Sequence, residues 1–338
     1  MTICPKSFQP LPEWYIAMSM TIASVTIPLS LYTLFLMIIL TPPHTDKYYR
    51  AYLILYHVVA CFFSTFNGLS TVIQYMPDFL IVQGGISIFN CVNAIFINLI
   101  SQMDVTILAG LVIYHRFTIF LFGDRHQLFF RLSYYSFFAI TTLPTTILFI
   151  WMLINNQDKQ RNPQLLVDCP HLIELNKYDY AFTDDEVLIG YVIYGLIFPT
   201  VVGACVIVPL FGTFSWMMVK RKSYISPATH KLQMKLLKNT IIQCTFPTMC
   251  HAFPAMAAEV IFFFKVEVHL YVSLSIWGAG TLHGILNCVL LLFHNEFYNR
   301  KMKRDMIQLI SLMKSFFYKK NRTTAVECAD RLKSLTKG

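Results

Sequence analysis

Seven apolar runs, each near or above the ~20 residues needed to cross a hydrocarbon core, leave this chain little choice of solvent. They cover about 14–40, 51–75, 86–122, 132–154, 187–219, 237–264 and 268–293. Composition agrees: 56% of the residues are hydrophobic and 13% charged, with a mean hydropathy of +0.54. That is roughly half the charge of a soluble domain. The expected fold is an all-α membrane protein, a seven-transmembrane helix bundle over 14–293. A short segment, 1–13, precedes it and a basic tail, 294–338, follows.

Pro5, Pro10 and Pro12, with no basic stretch ahead of the first run, argue against a cleavable signal peptide, and Thr41-Pro42-Pro43 ends the first helix. Of the 27 Lys and Arg residues, 21 fall in the connections 41–50, 123–131, 220–238 and the tail, against five in the alternate set. Basic residues stay on the cytosolic side, so the N-terminus is expected outside and the C-terminus in the cytosol. The net charge of +9 then reflects attraction to an anionic lipid bilayer, and no nucleic-acid partner is needed to explain it. In the tail, Phe297, Met302, Met306, Leu309, Ile310, Met313 and Phe317 recur at mostly three- to five-residue steps among basic residues, a pattern suited to an amphipathic helix on the inner leaflet.

Nine cysteines are scattered along the chain, most inside the runs, where a thiol is a small apolar group. Cys4, Cys91 and Cys169 face the oxidising side. A disulfide between Cys91 and Cys169 would pin the loop 155–186 over the bundle, and two unpaired thiols is the alternative. No pair of cysteines shows zinc-ligand spacing, so neither a metal nor a cofactor is expected. Catalytic signatures are absent too: there is no Gly-x-Ser-x-Gly, phosphate loop or His-Glu-x-x-His, and an enzyme is not expected.

Polar groups inside the bilayer are costly and mark candidate sites. Asp104 lies midway along the third run, too far from Arg116 to pair with it; it could be protonated, hydrated or bonded to Asn67 or His57, in a structural polar network or an ion site. Asn93, Asn98 and Gln102 occupy the outer half of the same helix. With His251 and Glu259 of the sixth run they could line a pocket that opens outward, although His251 by itself reads as a satisfied core histidine rather than a ligand contact. Pro247 and Pro254 remove backbone hydrogen bonds from the sixth helix and make it a bending element or a static kink.

These features carry a resemblance. Cys91 precedes Arg116 by 25 residues, Arg116 sits in Tyr114-His115-Arg116-Phe117, and Cys244-Thr245-Phe246-Pro247 occupies the sixth run. This combination resembles the rhodopsin-like G-protein-coupled receptors. The stretch from Ser226 to Pro254, with Thr229, Leu232-Gln233, Leu236-Leu237, Gln243 and Pro247, is similar to the nematode serpentine chemoreceptors of the Str superfamily, especially the Srh and Sri branches. The Pro-rich segment before Trp14-Tyr15 and the ending from Leu282-His283-Gly284 to Phe297-Tyr298 look like that group as well.

The resemblance implies a plasma-membrane receptor, in a sensory cilium or cell surface, that binds a small-molecule ligand or peptide and signals through a heterotrimeric G protein. Coupling is expected at His115, Arg116, Lys231, Lys235 and Lys238. Asp104, Pro247, Pro254 and Asn287 are the expected switch and hinge positions. Three departures stand out: His115 replaces an acidic residue, Asn287-Cys288 stands for Asn-Pro, and Leu291 stands for Tyr. A seven-span ligand-gated channel subunit would have a cytosolic N-terminus, and a transporter would show related halves, so both rivals fit less well. Lipid-facing and partner-facing apolar surfaces look alike, which leaves both a lone bundle and a homo- or hetero-oligomer open.

Overall fold

The structure, a computed structural model, describes residues 9–40, 47–75, 80–87, 89–122, 163–182, 226–295 and 298–312, with single positions between 132 and 154 and at 315. The expected fifth span, 187–219, Pro144 and the inner connection 123–131 lie outside the described residues. Long helices dominate: α1 (Glu13–Leu40), α2 (Lys47–Ser70), α3 (Cys91–Phe122), α5 (Pro227–Phe263) and α6 (Leu270–His294). The positions described between 132 and 154 are helical as well. The helices Glu13–Leu40, Lys47–Ser70 and Leu270–His294, with the segment Cys91–Arg116, are long and apolar enough to cross a membrane.

The second run does not stay helical to residue 75. Thr71 adopts a φ of 45°, its hydroxyl donates to the Gly68 carbonyl at 3.0 Å, and α2 stops at Ser70. Val72–Tyr75 then forms strand β1, paired antiparallel with β2 (Leu80–Gln83), which pairs antiparallel with β3 (Asp179–Phe182). As the chain leaves β2, the amides of Gly84, Gly85 and Ile86 donate to the carbonyls of Thr71, Ser70 and Leu69 at 2.8–3.2 Å. The Ser70 and Leu69 carbonyls are among those a helix end leaves without intrahelical partners. Gly85 lies so close to the Leu69 and Ser70 carbonyls that a Cβ there would overlap them.

Side chains alternate across this sheet, as the strand period requires. Val72, Ile81 and Ala181 pack with Cys91, Ile95 and Leu99 of α3. Ile73, Tyr75, Leu80, Val82 and Tyr180 point the other way and pack with Leu11, Leu172 and Cys169. The far side is built by helix α4 (Pro163–Asp168) and a 3-10 helix (Pro170–Lys177). It also holds the N-terminal segment, whose Gln9 carbonyl accepts from the Tyr75 hydroxyl at 2.7 Å. Burial pushes the Tyr75 phenol above its ordinary pKa.

This sheet corrects the expected disulfide. Cys91 is a buried free thiol, on the bundle face among α3 residues, while its backbone N–H donates to the Asp179 carboxylate at 3.0 Å. Cys169 is disulfide-bonded, but it belongs to the cluster on the opposite face. Two thiols with a sheet between them cannot reach each other. Among the described residues Cys61, Cys91, Cys250 and Cys288 are free thiols, so none of them is the partner of Cys169.

Helix α5 starts at Pro227, ten residues before the expected span, with proline at the first helical position where its missing N–H costs nothing. It continues through Pro247 and Pro254. In the bundle, α1 packs on α2, α2 on α3 and α3 on α5. Gly284 lets α6 approach α2, since a Cβ there would lie 2.7 Å from the Ser64 Cβ. The segment Leu291–Gly338 forms a second compact unit. In it a helix over 298–312 exposes Met306, Ile307, Leu309, Ile310 and Leu312 and carries a Lys301–Asp305 ion pair at 2.6 Å.

Candidate functional site

A cavity of about 40 Å3 lies where α2, α3, α5, α6 and β1 meet. Such a volume has room for roughly three waters. Its apolar wall is Phe63, Leu99, Ala258, Phe262 and Ile276, and its polar wall is Asn67, Gln74 and Gln102, with Trp277 and Gly280 completing it. No lining residue carries a charge.

The polar wall is unevenly satisfied. Asn98, 1% exposed, donates from Nδ2 to Asn67 Oδ1 at 2.7 Å, and Asn67 Nδ2 donates to the Trp277 carbonyl at 3.1 Å. This relay ties α3 to α2 and α2 to α6. By contrast, Gln74 Nε2 and Trp277 Nε1 are buried donors without a hydrogen-bond partner among the described residues. Gln74 as a whole is 3% exposed. A buried donor left unsatisfied costs about 1–3 kcal/mol, so two of them on residues that line one cavity favour an acceptor there.

At the other end of the bundle, the Arg116 guanidinium stacks 3.5 Å from the ring centroid of Tyr49. The Tyr49 hydroxyl hydrogen-bonds the Thr240 hydroxyl at 3.0 Å. Residues of α3, α2 and α5 thus form one latch: cation, aromatic ring, hydroxyl. It stands where an acidic neighbour of the arginine is missing. His115 is 2% exposed and meets the Tyr52 ring edge-on at 5.2 Å, and Tyr52 in turn hydrogen-bonds Tyr135. His115 therefore points into the bundle, whereas Lys231, Lys235 and Lys238 are exposed.

The expected site residues divide accordingly. Gln102 lines the cavity and Asn98 supports it through Asn67. Asn93 sits in the first turn of α3, where its N–H is capped by Asn90 Oδ1 at 2.8 Å. The side chains of His251 and Glu259 lie outside the description. Of the alternatives for Asp104, a bond to Asn67 or His57 is not formed among the described residues: Asn67 is engaged with Asn98 and Trp277, and His57 with Asn287 Nδ2 and the Ser30 carbonyl, both at 3.2 Å. Asn287, the expected switch residue, is fully buried in that contact. Gln74 and Trp277 were not foreseen. Gln74 looked like part of a helix, and Trp277 like an ordinary aromatic of the last span.

His57 has further neighbours. The ligating atoms of His57, Cys61 and Cys288 lie within 4.8 Å of one another, and all three residues are buried. In the sequence Cys61 and Cys288 read as small apolar thiols inside the runs, yet His57 and Cys61 are four residues apart on one helix face.

No curated protein matches this chain. A family model described as the serpentine type 7TM GPCR chemoreceptor Srh matches residues 10–308, from the segment pinned over the sheet into the helix after α6. The chain is a multi-pass membrane protein and belongs to the Srh family of serpentine G-protein-coupled chemoreceptors.

Proposed function

We propose that the protein is a plasma-membrane chemosensory receptor, N-terminus outside, that binds a small uncharged molecule in the cavity and signals through a heterotrimeric G protein at the end holding Arg116. The observation that carries this reading is the course of α5. Its Ala258 and Phe262 line the cavity and its Thr240 closes the latch. Eighteen residues separate Ala258 from Thr240, about 27 Å of helix. A ligand that favours a different position of α5 is thereby coupled to a contact on the far side of the membrane.

The chemistry of the lining defines the ligand class. Unpartnered Gln74 and Trp277 N–H groups favour a carbonyl, ether or hydroxyl oxygen, and the uncharged wall disfavours ions. A ligand shifts the equilibrium only by its differential affinity for the latched and released states. Release of Thr240 from Tyr49 would free the exposed Lys231–Lys238 turns of α5 to engage the G protein, with Pro247 and Pro254 between cavity and latch as the flexible points.

The test is G-protein activation in cells expressing wild type or Arg116→Ala at matched surface level, challenged with a panel of volatile ketones, esters and alcohols. A response to a panel member that vanishes in the variant supports the reading. A ligand-evoked current that persists without G proteins and ignores Arg116 would sink it and favour a channel.

A further inference from the structure

The cluster between α2 and α6 has no part in the cavity or the latch, and its chemistry is distinctive. His57 and Cys288 are fully buried and Cys61 is 5% exposed. The two sulfurs are 3.8 Å apart, and Cys61 Sγ is 3.9 Å from His57 Nδ1. We propose that His57, Cys61 and Cys288 form an intramembrane binding site for a soft d10 metal ion, zinc(II) or copper(I).

Four observations support the site. Metal–sulfur bonds near 2.3 Å and metal–nitrogen bonds near 2.0 Å place ligand atoms roughly 3.6–3.8 Å apart around a shared ion. Two of the separations, 3.8 Å between the sulfurs and 3.9 Å from Cys61 Sγ to Nδ1, already match that spacing; Cys61 Sγ also lies 3.8 Å from Nε2 and the three ligating atoms fall within 4.8 Å of one another, so binding draws His57 and Cys288 closer together. The donors are two thiols and an imidazole, the set that selects zinc and copper(I) over magnesium or calcium. The second coordination layer is also in place. With the His57 Nε2–H donating to the Ser30 carbonyl at 3.2 Å, Nδ1 carries the lone pair and now accepts from Asn287 Nδ2 at 3.2 Å. Binding replaces that amide with the ion, leaving the Ser30 bond to hold the ring. Finally, charge can balance in an apolar interior. Zinc(II) with two thiolates and neutral imidazole sums to zero, and both thiol protons leave for solvent as it binds. Copper(I) reaches neutrality with one thiolate and one thiol, and is content with three ligands.

The site joins two ligands from α2 to one from α6, so an ion there would clamp the helices against sliding.

The experiment uses the full-length receptor in lipid nanodiscs. It is incubated separately with zinc(II) and with copper(I) under reducing conditions, desalted, and assayed for bound metal by mass spectrometry. Expected is about one zinc or one copper per chain, with whichever metal is retained naming the ion. Cys61→Ser and Cys288→Ser should each lower retention at least tenfold, and Cys250→Ser should leave it unchanged. Should the serine variants fail to fold, cobalt(II) titration of the wild type reads the same question: a near-ultraviolet thiolate charge-transfer band supports the site. Metal retained equally by monodisperse Cys61→Ser, or no retention and no cobalt band in the wild type, would overturn it.

Discussion

Replacing Gln74 with methionine separates a ligand-binding donor from a structural one. Methionine keeps the length and apolar bulk of glutamine at a site 3% exposed to solvent, but it removes the N–H groups that find no partner beside the cavity. A buried unsatisfied donor costs about 1–3 kcal/mol, less where a water in the cavity accepts from it. The unliganded variant should therefore be more stable than wild type by about 1 kcal/mol. In the proposed function the same N–H donates to the oxygen of a bound ligand, and losing a hydrogen bond worth about 0.5–1.5 kcal/mol would weaken binding roughly 2- to 13-fold. Stability and potency should thus move in opposite directions. Stability would be followed by thermal unfolding in nanodiscs, potency by G-protein activation at matched surface expression with a panel agonist. A variant that is less stable with unchanged potency would refute the assignment and make Gln74 a scaffold residue.

Three further outcomes are expected. Tyr49→Phe keeps the ring beneath Arg116 but removes the bond to Thr240, so ligand-independent signalling should rise, and an unchanged basal level would exclude the latch. Asn67→Ala and Asn98→Ala interrupt one relay. Their double variant should therefore cost less than the sum of the singles by about 0.6–1.7 kcal/mol in equilibrium unfolding, and strict additivity would dissolve the relay. Peptide mapping without reductant should find Cys91 alkylated only after unfolding and Cys169 bridged to another cysteine, with Cys4 expected from its outer position. A Cys91–Cys169 peptide would contradict the sheet placement.

What was legible in the sequence was set by hydrophobic length. A helix such as Glu13–Leu40 must satisfy its backbone internally, and twenty-odd apolar residues leave only that solution. Resemblance carried the family equally well, because its motifs span the chain. The sheet was not legible by the same rule. Val72–Tyr75 is as apolar as the helix before it, and only the positive φ of Thr71 marks the change. In retrospect the short apolar run Leu80–Gln83, followed by Gly84-Gly85, was the hairpin signal. Pocket residues were harder still. Gln102 could be chosen from one helix, but the cavity takes its donors from β1 and α6, and no single-helix pattern reports which side chains converge. The thiol–imidazole cluster hid for the same reason, two ligands on α2 and the third 227 residues on.

The three strands over α2 and α3 bear on kinetics as well as architecture. If the cavity takes its ligand as proposed above, the ladder β1-β2-β3 and the N-terminal segment fastened on it by Tyr75 and Tyr178 stand in the route from water. Two routes follow from that arrangement: lifting of the ladder, or passage sideways between helices from the lipid. In the first case the opening frequency of the ladder sets the response time. In the second, the membrane acts as a concentrator, and sensitivity across a homologous series should track partitioning into lipid rather than concentration in the medium.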